Sequence, residues 1–491
     1  MSRFNRPQVR RSDSRLTTNL AGGLAHSVTP KLELTLIALT SFLKDNFYRS
    51  AQDTMQRIVD LIPHVPRAFV MQLALYARHH FGMRSVTHLL AVELAAQRAG
   101  DGDLRPFIQK VIHRPDDALE IMACWLEMYG KPIPNALRRG IGDALRMFPE
   151  YALAKYRKNN AGLTMRDLVR LTRPRATDAL TKLMQGTLAS ADTWESQLSA
   201  AGQQADGEDL ASAKAEVWES LVRERRLGYM ALIRNLRNIS QTAPHVLPQV
   251  CEQLLDMNAL QRSKMFPYRF FTAYMAALHG GVPDSVLVTL TQACDMSLAN
   301  VPTLEGRTLV VLDVSGSMIQ HQAAGSTPNS RINCAQVGAL FASAILKKNL
   351  DTADFMIFDS TARYLGSREV DRSIPILRMT DQISRNCTGN DTRFDTIFTT
   401  ANRAYARVII LSDMQGWGHT HSIDRGAAPY FERYGRPFIY SFNLKDYGTL
   451  MFPQQKTFAL GGFSEKIFDL IPMMEGNPAE LVQSIECFEV P

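Results

Sequence analysis

At 491 residues the chain is longer than one hydrophobic core usually serves, so two domains or more are expected. The apolar fraction of 45% is ample for large cores and the charged fraction of 21% is ordinary for a soluble globular protein; no apolar run is long enough to cross a bilayer, and the Arg-rich N-terminus lacks the apolar stretch of a secretory signal. A net charge of +7 is a mild excess of base, and six scattered cysteines without a CxxC pair or zinc spacing read as reduced thiols in a cytoplasmic protein.

Residues 1–29 read as a basic tail, with Arg3, Arg6, Arg10, Arg11 and Arg15 around its first acid, Asp13. Such a tail is either a solvated end or an arm that touches phosphates. From 30 to 298 the apolar residues recur at three- and four-residue steps: Leu32, Leu36, Leu39, Phe42 and Leu43, then Met55, Ile58 and Val59, then Val70, Leu73 and Leu75. That period is helical. Pro63, Pro66, Pro115 and Pro132 fall where helices should stop and restart. Many amphipathic helices of roughly 12–18 residues with short breaks predict stacked helix pairs, an α-solenoid of degenerate repeats. Ser199–Asp209, rich in Ala, Gln and Gly, is expected to be an exposed loop.

Within this half, basic residues crowd between Arg138 and Lys182. They include Arg138, Arg139, Arg146, Lys155, Arg157, Lys158, Arg166, Arg170, Arg173 and Arg175, against Asp143, Glu150, Asp167 and Asp178. Tyr156, Asn159 and Asn160 lie among them. Cations contact phosphates, while Asn and Tyr bond or stack on exposed bases. On charge alone, a solvated set of helix faces and an RNA surface stand level.

After 299 the pattern changes. Short β-branched runs appear at Thr308–Leu312, Phe355–Phe358, Val408–Leu411 and Phe438–Phe442, separated by helical stretches at Ile332–Leu350 and Phe394–Ala406. Buried strands alternating with helices predict a parallel sheet covered on both faces, with ligands at the carboxyl ends of the strands. Asp313 ends the first of these strands, and Ser315 and Ser317 follow it in Asp313-Val314-Ser315-Gly316-Ser317. One carboxylate and two hydroxyls can converge on a divalent cation, and such hard oxygen donors suit Mg²⁺. Asp413, after another strand, can hold a metal-bound water. A threonine from an intervening loop would complete the site: Thr392, in Gly389-Asn390-Asp391-Thr392, is preferred, and Thr388 competes. Alone, DxSxS is also an Asp-Ser turn before a helix; a second strand-end Asp favours the cation. The arrangement resembles a von Willebrand factor A domain with its metal-ion-dependent adhesion site, over about 300–491. The resemblance implies that an outside acidic group completes the cation's coordination sphere. The threonine loop departs from that family's Gly-Gly-Thr.

Strings in the helical half resemble the TROVE module of the Ro autoantigen family. They are Phe69-Val70-Met71-Gln72-Leu73-Ala74-Leu75-Tyr76-Ala77-Arg78, Gly82-Met83-Arg84-Ser85-Val86, Lys155-Tyr156, Arg166-Asp167-Leu168-Val169-Arg170-Leu171 and Ala231-Leu232-Ile233-Arg234-Asn235-Leu236. Their order, followed by the cation loop, makes the resemblance specific. It runs from about 30 to the C-terminus and is strongest toward the bacterial Ro-related (Rsr) members. It implies a ring of HEAT-like repeats over 30–298, an α-solenoid closed with the help of a Rossmann-like von Willebrand A domain over 299–491. It implies Y RNA on an outer basic surface, single-stranded RNA ends in a central hole, and structured or misfolded noncoding RNA as clients. It also implies a partner 3′ exoribonuclease such as polynucleotide phosphorylase. A family Y-RNA contact carries over onto Lys155, and a neighbouring one falls near Asn159, with Arg157 and Lys158 as substitutes. Arg173 stands where the family has a histidine. Arg138, Arg139 and Arg170 complete the expected RNA surface. His79, His80 and His88 are open to RNA-facing roles, with packing or solvated roles preferred.

The function expected is that of a non-catalytic RNA-binding protein in RNA quality control or processing, with no membrane partner. The alternative is a metal-dependent protein–protein adhesion scaffold. The sequence offers no P-loop, no activated Ser or Cys constellation and no carboxylate cluster for a two-metal nuclease.

Overall fold

Prolines and capping residues set the helix boundaries of the first half. The computed structural model describes residues 16–18, 24–26, 30–40, 51–97, 101–156, 162–189, 193–204, 208–320, 332–387, 391–413, 421–444, 457–461, 467–476 and 478–489. Pro66 precedes the helix Arg67–His79, Pro115 opens Pro115–Met128, and Pro132 lies just before Asn135–Leu145. Each proline sits where a missing amide costs no helical hydrogen bond. Leu36, Leu39, Ile58, Val70 and Leu73 are all buried on their helices, and each such side chain contributes roughly 1.5–3 kcal/mol relative to exposure. Phe42 and Leu43 lie outside the described residues. Neighbouring helices pack in pairs, such as Arg67–His79 on Ser85–Ala96 and Pro267–His279 on Asp284–Met296.

Two expectations for this half are corrected. Ser199–Asp209 is not an exposed loop: Trp194–Gln204 and Glu208–Arg223 are helices that pack together, with 205–207 outside the described residues. Ala, Gln and Glu are strong helix formers, and with no proline present that propensity outweighs the polar composition. The 1–29 segment also contains a ladder, Leu16–Thr18 (β1) antiparallel to Leu24–His26 (β2). Arg3, Arg6, Arg10, Arg11 and Arg15 lie outside the described residues.

The second half is α/β. Its strands are Thr308–Asp313 (β3), Ala353–Phe358 (β4), Ala362–Tyr364 (β5), Arg407–Ser412 (β6), Phe438–Asn443 (β7) and Thr457–Gly461 (β8). They form one sheet in the order β5-β4-β3-β6-β7-β8, parallel throughout except for the β4–β5 edge. Because side chains alternate along a strand, β3 feeds two cores. Val310 and Leu312 join the core shared with the helical half, while Leu309 and Val311 join a separate one with Phe398 and Tyr430. The chain passes from β3 to its two neighbours in opposite directions, so the strand order reverses between β3 and β6. The carboxyl ends of these strands therefore border the crevice where such sheets bind ligands.

The intervening helices are shorter than expected. Ile332–Leu350 is reduced to Cys334–Lys348, because Asn333 caps it by accepting from the Gln336 amide. Phe394–Ala406 is reduced to Asp395–Thr400. Beyond it the chain is held in an open form, its Asn402 and Arg403 carbonyls accepting from the Tyr434 and Tyr430 hydroxyls.

The α/β half touches both ends of the helical half. The helix Pro478–Glu486 packs on Arg67–His79, and Pro30–Thr40 packs on β8. Glu486 pairs with Lys31, and its carbonyl accepts from the Gln72 amide. At the other end Asp284–Met296 packs on Ile376–Ser384, where the Ile376 amide donates to Asp295 Oδ1 at 2.7 Å. The six cysteines are free thiols. Among the described residues no helix is long and apolar enough to cross a membrane.

Candidate nucleic-acid surface and cation site

Two acids stand where the strand order reverses. Asp313 ends β3, Asp413 follows β6, and both are completely buried. Asp313 Oδ1 accepts from the Ser315 amide at 2.9 Å, and Oδ2 accepts from the Ser412 hydroxyl at 2.5 Å. The Ser315 and Ser317 hydroxyls are 3.2 Å apart. The structure thus brings Asp313, Ser315, Ser317 and Asp413 together. Burial, and then the charge of Asp413, push the Asp313 carboxyl up to about 7. Two carboxylates in one buried crevice repel, and a divalent cation held between them would remove that repulsion. Among the described residues no three His, Cys, Asp or Glu side chains converge on a point. The donors here are two carboxylates and hydroxyls, a hard-oxygen set that fits Mg²⁺.

Thr392 is buried at the carboxyl end of β4, where the next amide, that of Arg393, donates to the Asp359 carbonyl at 2.8 Å. Thr388 lies outside the described residues. Cys387, just before it, senses the same crevice: burial, and then the charge of Asp313, push its thiol up to about 11.

The basic residues divide by their partners. Arg138 and Arg139 lie on Asn135–Leu145, which packs on Met165–Thr172, the helix that carries Arg170 and is capped by Arg173. Lys155 ends Glu150–Lys155. Arg157 and Lys158 lie outside the described residues. Arg170 pairs with Asp167 at 3.2 Å and Lys182 with Glu150 at 2.6 Å. Asp167 is further engaged in a capping box with Thr164. Arg139, Lys155 and Arg173 are exposed and have no carboxylate partner among the described residues. Unpaired cations are the ones free to displace counterions from phosphates. Arg173 holds this place in a left-handed conformation, φ 48° and ψ 57°.

Beside Lys155 opens a cleft of about 1050 Å³, where Arg114, Lys155, Arg234 and Arg262 face one acid, Glu195. Trp194 and Tyr229 add aromatic surface to its lining. Trp194 stacks on the buried Trp218, with centroids 6.0 Å apart and planes at 27°, and the Tyr229 hydroxyl donates to the Leu254 carbonyl. Both rings are therefore held rigidly. Arg114 lies over the Tyr156 ring at 4.4 Å and is anchored by Asp116 at 2.8 Å. Behind it Asp117 is completely buried, paired with Arg78 at 2.7 Å and with Arg84. Burial alone would raise the Asp117 carboxyl, but the hydrogen bond from His88 and the charges of Arg78 and Arg84 outweigh it and hold it well below the usual carboxylate range. His88 is thus a packing residue and not RNA-facing: its Nε2 and Nδ1 lie 3.1 Å from Asp117 and from Glu120.

Cations and rigid aromatic faces in one concavity suit a sugar–phosphate backbone with unstacked bases. Of these residues Lys155 lies in the basic cluster of the sequence and Arg234 in Ala231–Leu236, whereas Arg114, which caps one helix, and Trp194, Tyr229 and Arg262, on three others, share no local spacing that would mark them.

Comparison with known proteins adds the following. The model of the TROVE domain family matches residues 34–189 and 182–280. The RNA-binding protein RO60 of Deinococcus radiodurans is 25% identical over 384 residues, covering 66% of this chain and 71% of that protein. Telomerase protein component 1 of Rattus norvegicus is 22% identical over 298 residues, covering 42% of this chain and 11% of that protein. The crystal structure of the Deinococcus radiodurans RO (RSR) protein aligns with a TM-score of 0.64 at 18% identity, over 94% of this chain and 100% of that one. At that identity the likeness speaks to the fold.

Proposed function

The chain belongs to the TROVE domain family, and from that premise we propose that it is a non-catalytic RNA-binding protein of the cytoplasm, acting in RNA quality control or processing. The observation that carries this reading is the cleft in which Arg114, Lys155, Arg234 and Arg262 meet Trp194 and Tyr229. The name of the Deinococcus relative supports RNA as the ligand class. Contacts of the α/β half with both ends of the helical series support a closed ring of HEAT-like repeats. In this reading the cleft belongs to the inner wall and takes single-stranded RNA ends. Arg138, Arg139 and Arg173 take Y RNA or another structured RNA outside, and Lys155 stands where the two surfaces meet.

The α/β half acts as a von Willebrand A-like docking domain. Asp313, Ser315, Ser317, Thr392 and Asp413 would hold Mg²⁺, which supplies a Lewis-acidic position for a partner's carboxylate. The partner class we favour is a 3′ exoribonuclease such as polynucleotide phosphorylase. The buried Asp313–Asp413 pair equally favours a second reading, a metal-dependent protein–protein adhesion scaffold, and the two roles are compatible.

Filter binding of a small structured RNA at two salt concentrations tests the RNA reading. Affinity should fall steeply with salt, since each phosphate contact contributes a log–log slope of about −0.9. Lys155→Ala and Arg173→Ala should each weaken binding and reduce that slope by about one. Failure to bind RNA at low salt would overturn the reading.

A further inference from the structure

Next in the chain to Arg114 of the cleft, two histidines turn the same ring atom toward each other. His79 ends the helix Arg67–His79, and His113 lies in the turn before Pro115–Met128. Their Nε2 atoms are 3.2 Å apart, with ring centroids at 4.5 Å and planes at 71°. The Lys110 carbonyl lies against the His113 ring and favours a donor there. The His113 backbone is fixed as well: its amide donates at 3.1 Å to Asp117 Oδ2, and Asp117 is itself buried and paired with Arg78. Burial, and then Arg78, push both imidazoles below the usual histidine range, so both are neutral near neutral pH. Neutral imidazole is the form that ligates metals.

A spacing of 3.2 Å suits a single N–H···N hydrogen bond. It equally suits two ligands on one cation, since imidazole nitrogens at about 2.0–2.1 Å from a tetrahedral zinc stand about 3.3–3.4 Å apart. His79 is half-buried and His113 exposed, so a cation reaches them from solvent and keeps water ligands. The ring of Phe488, which follows the helix Pro478–Glu486, lies 5.9 Å from that of His79 and 5.1 Å from that of His80. The pair therefore sits on the seam between the two halves.

We propose that His79 and His113 form a binding site for a borderline-soft divalent cation of the Zn²⁺ class, held through their two Nε2 atoms with water in the remaining positions. This site is separate from the Asp313 crevice in both donor chemistry and position. Among the described residues no third His, Cys, Asp or Glu joins the pair, so affinity rests on these two rings and either substitution should abolish it.

The test is equilibrium dialysis of the full chain against Zn²⁺, after chelator stripping and with Mg²⁺ in excess to occupy the hard-oxygen site. The expected result is one zinc fewer per chain in His79→Gln and in His113→Gln than in the unsubstituted protein. Circular dichroism checks that each variant is folded. His80→Gln, Cys487→Ser and Asp313→Ala should retain that zinc, which separates the pair from its neighbours and from the crevice. Equal stoichiometry in the unsubstituted protein and both histidine variants overturns the proposal, as does absence of zinc from the unsubstituted protein.

Discussion

Arg173 keeps a left-handed backbone, φ 48°, immediately before Pro174. For a residue with a side chain that conformation costs roughly 1–2 kcal/mol, and only glycine adopts it freely. Arg173 is exposed and has no carboxylate partner among the described residues, so in the proposed reading the strained position serves RNA binding. Arg173→Gly is therefore expected to leave the protein more stable by about 0.5–1 kcal/mol, after glycine's own entropic cost, while weakening RNA binding. Urea denaturation alongside filter binding checks both halves, and a loss of stability would show that the guanidinium contributes packing instead. At this scale the sequence was readable where chemistry is local. Asp313, Ser315 and Ser317 lie within five residues, and their strand-end position was visible from the apolar run before them. Trp194 and Arg262 carry no such mark, because what unites them is a concavity made by helices distant in the chain.

The central strands β3 and β6 were readable because burial on both faces produces unbroken apolar runs. The edge strands β5 and β8 were not, since edge strands are short and need no such run. Helix ends were misjudged wherever a side chain sets the boundary, as Asn333 does, because apolar periodicity is blind to caps. Among the elements, the helix Pro478–Glu486 buries Leu481 and Ile485, and just beyond it the ring of Phe488 packs against Tyr76, His79 and His80. Phe488 is partly buried, so Phe488→Ala should cost about 1–2 kcal/mol, below the roughly 3–5 kcal/mol of a fully enclosed ring. Hydrogen exchange should quicken in Pro478–Glu486 and Arg67–His79 and stay unchanged in Trp194–Gln204. Uniform acceleration across the chain would show that the contact is not local.

For the molecule as a whole, the proposed cation between Asp313 and Asp413 would be a term in its stability. At about 100 times its dissociation constant, Mg²⁺ should stabilise the folded state by about 2.7 kcal/mol. Thermal scans with Mg²⁺ and with EDTA should differ accordingly, and Asp313→Ala should erase the difference; identical scans of the unsubstituted protein would remove the case for a cation. The two-half architecture was readable from the change of periodicity near 299, whereas the contacts that join the halves at both ends were not, because no sequence pattern states which distant surfaces meet. Those contacts also impose an order in time. Tyr76 meets its cover, Phe488, across some 400 residues of chain, and at about 5–20 residues per second of synthesis that cover arrives tens of seconds late. Until then the aromatic flank of Tyr76 lacks this cover. The seam between the two halves at this flank can therefore close only once Phe488 has been synthesised.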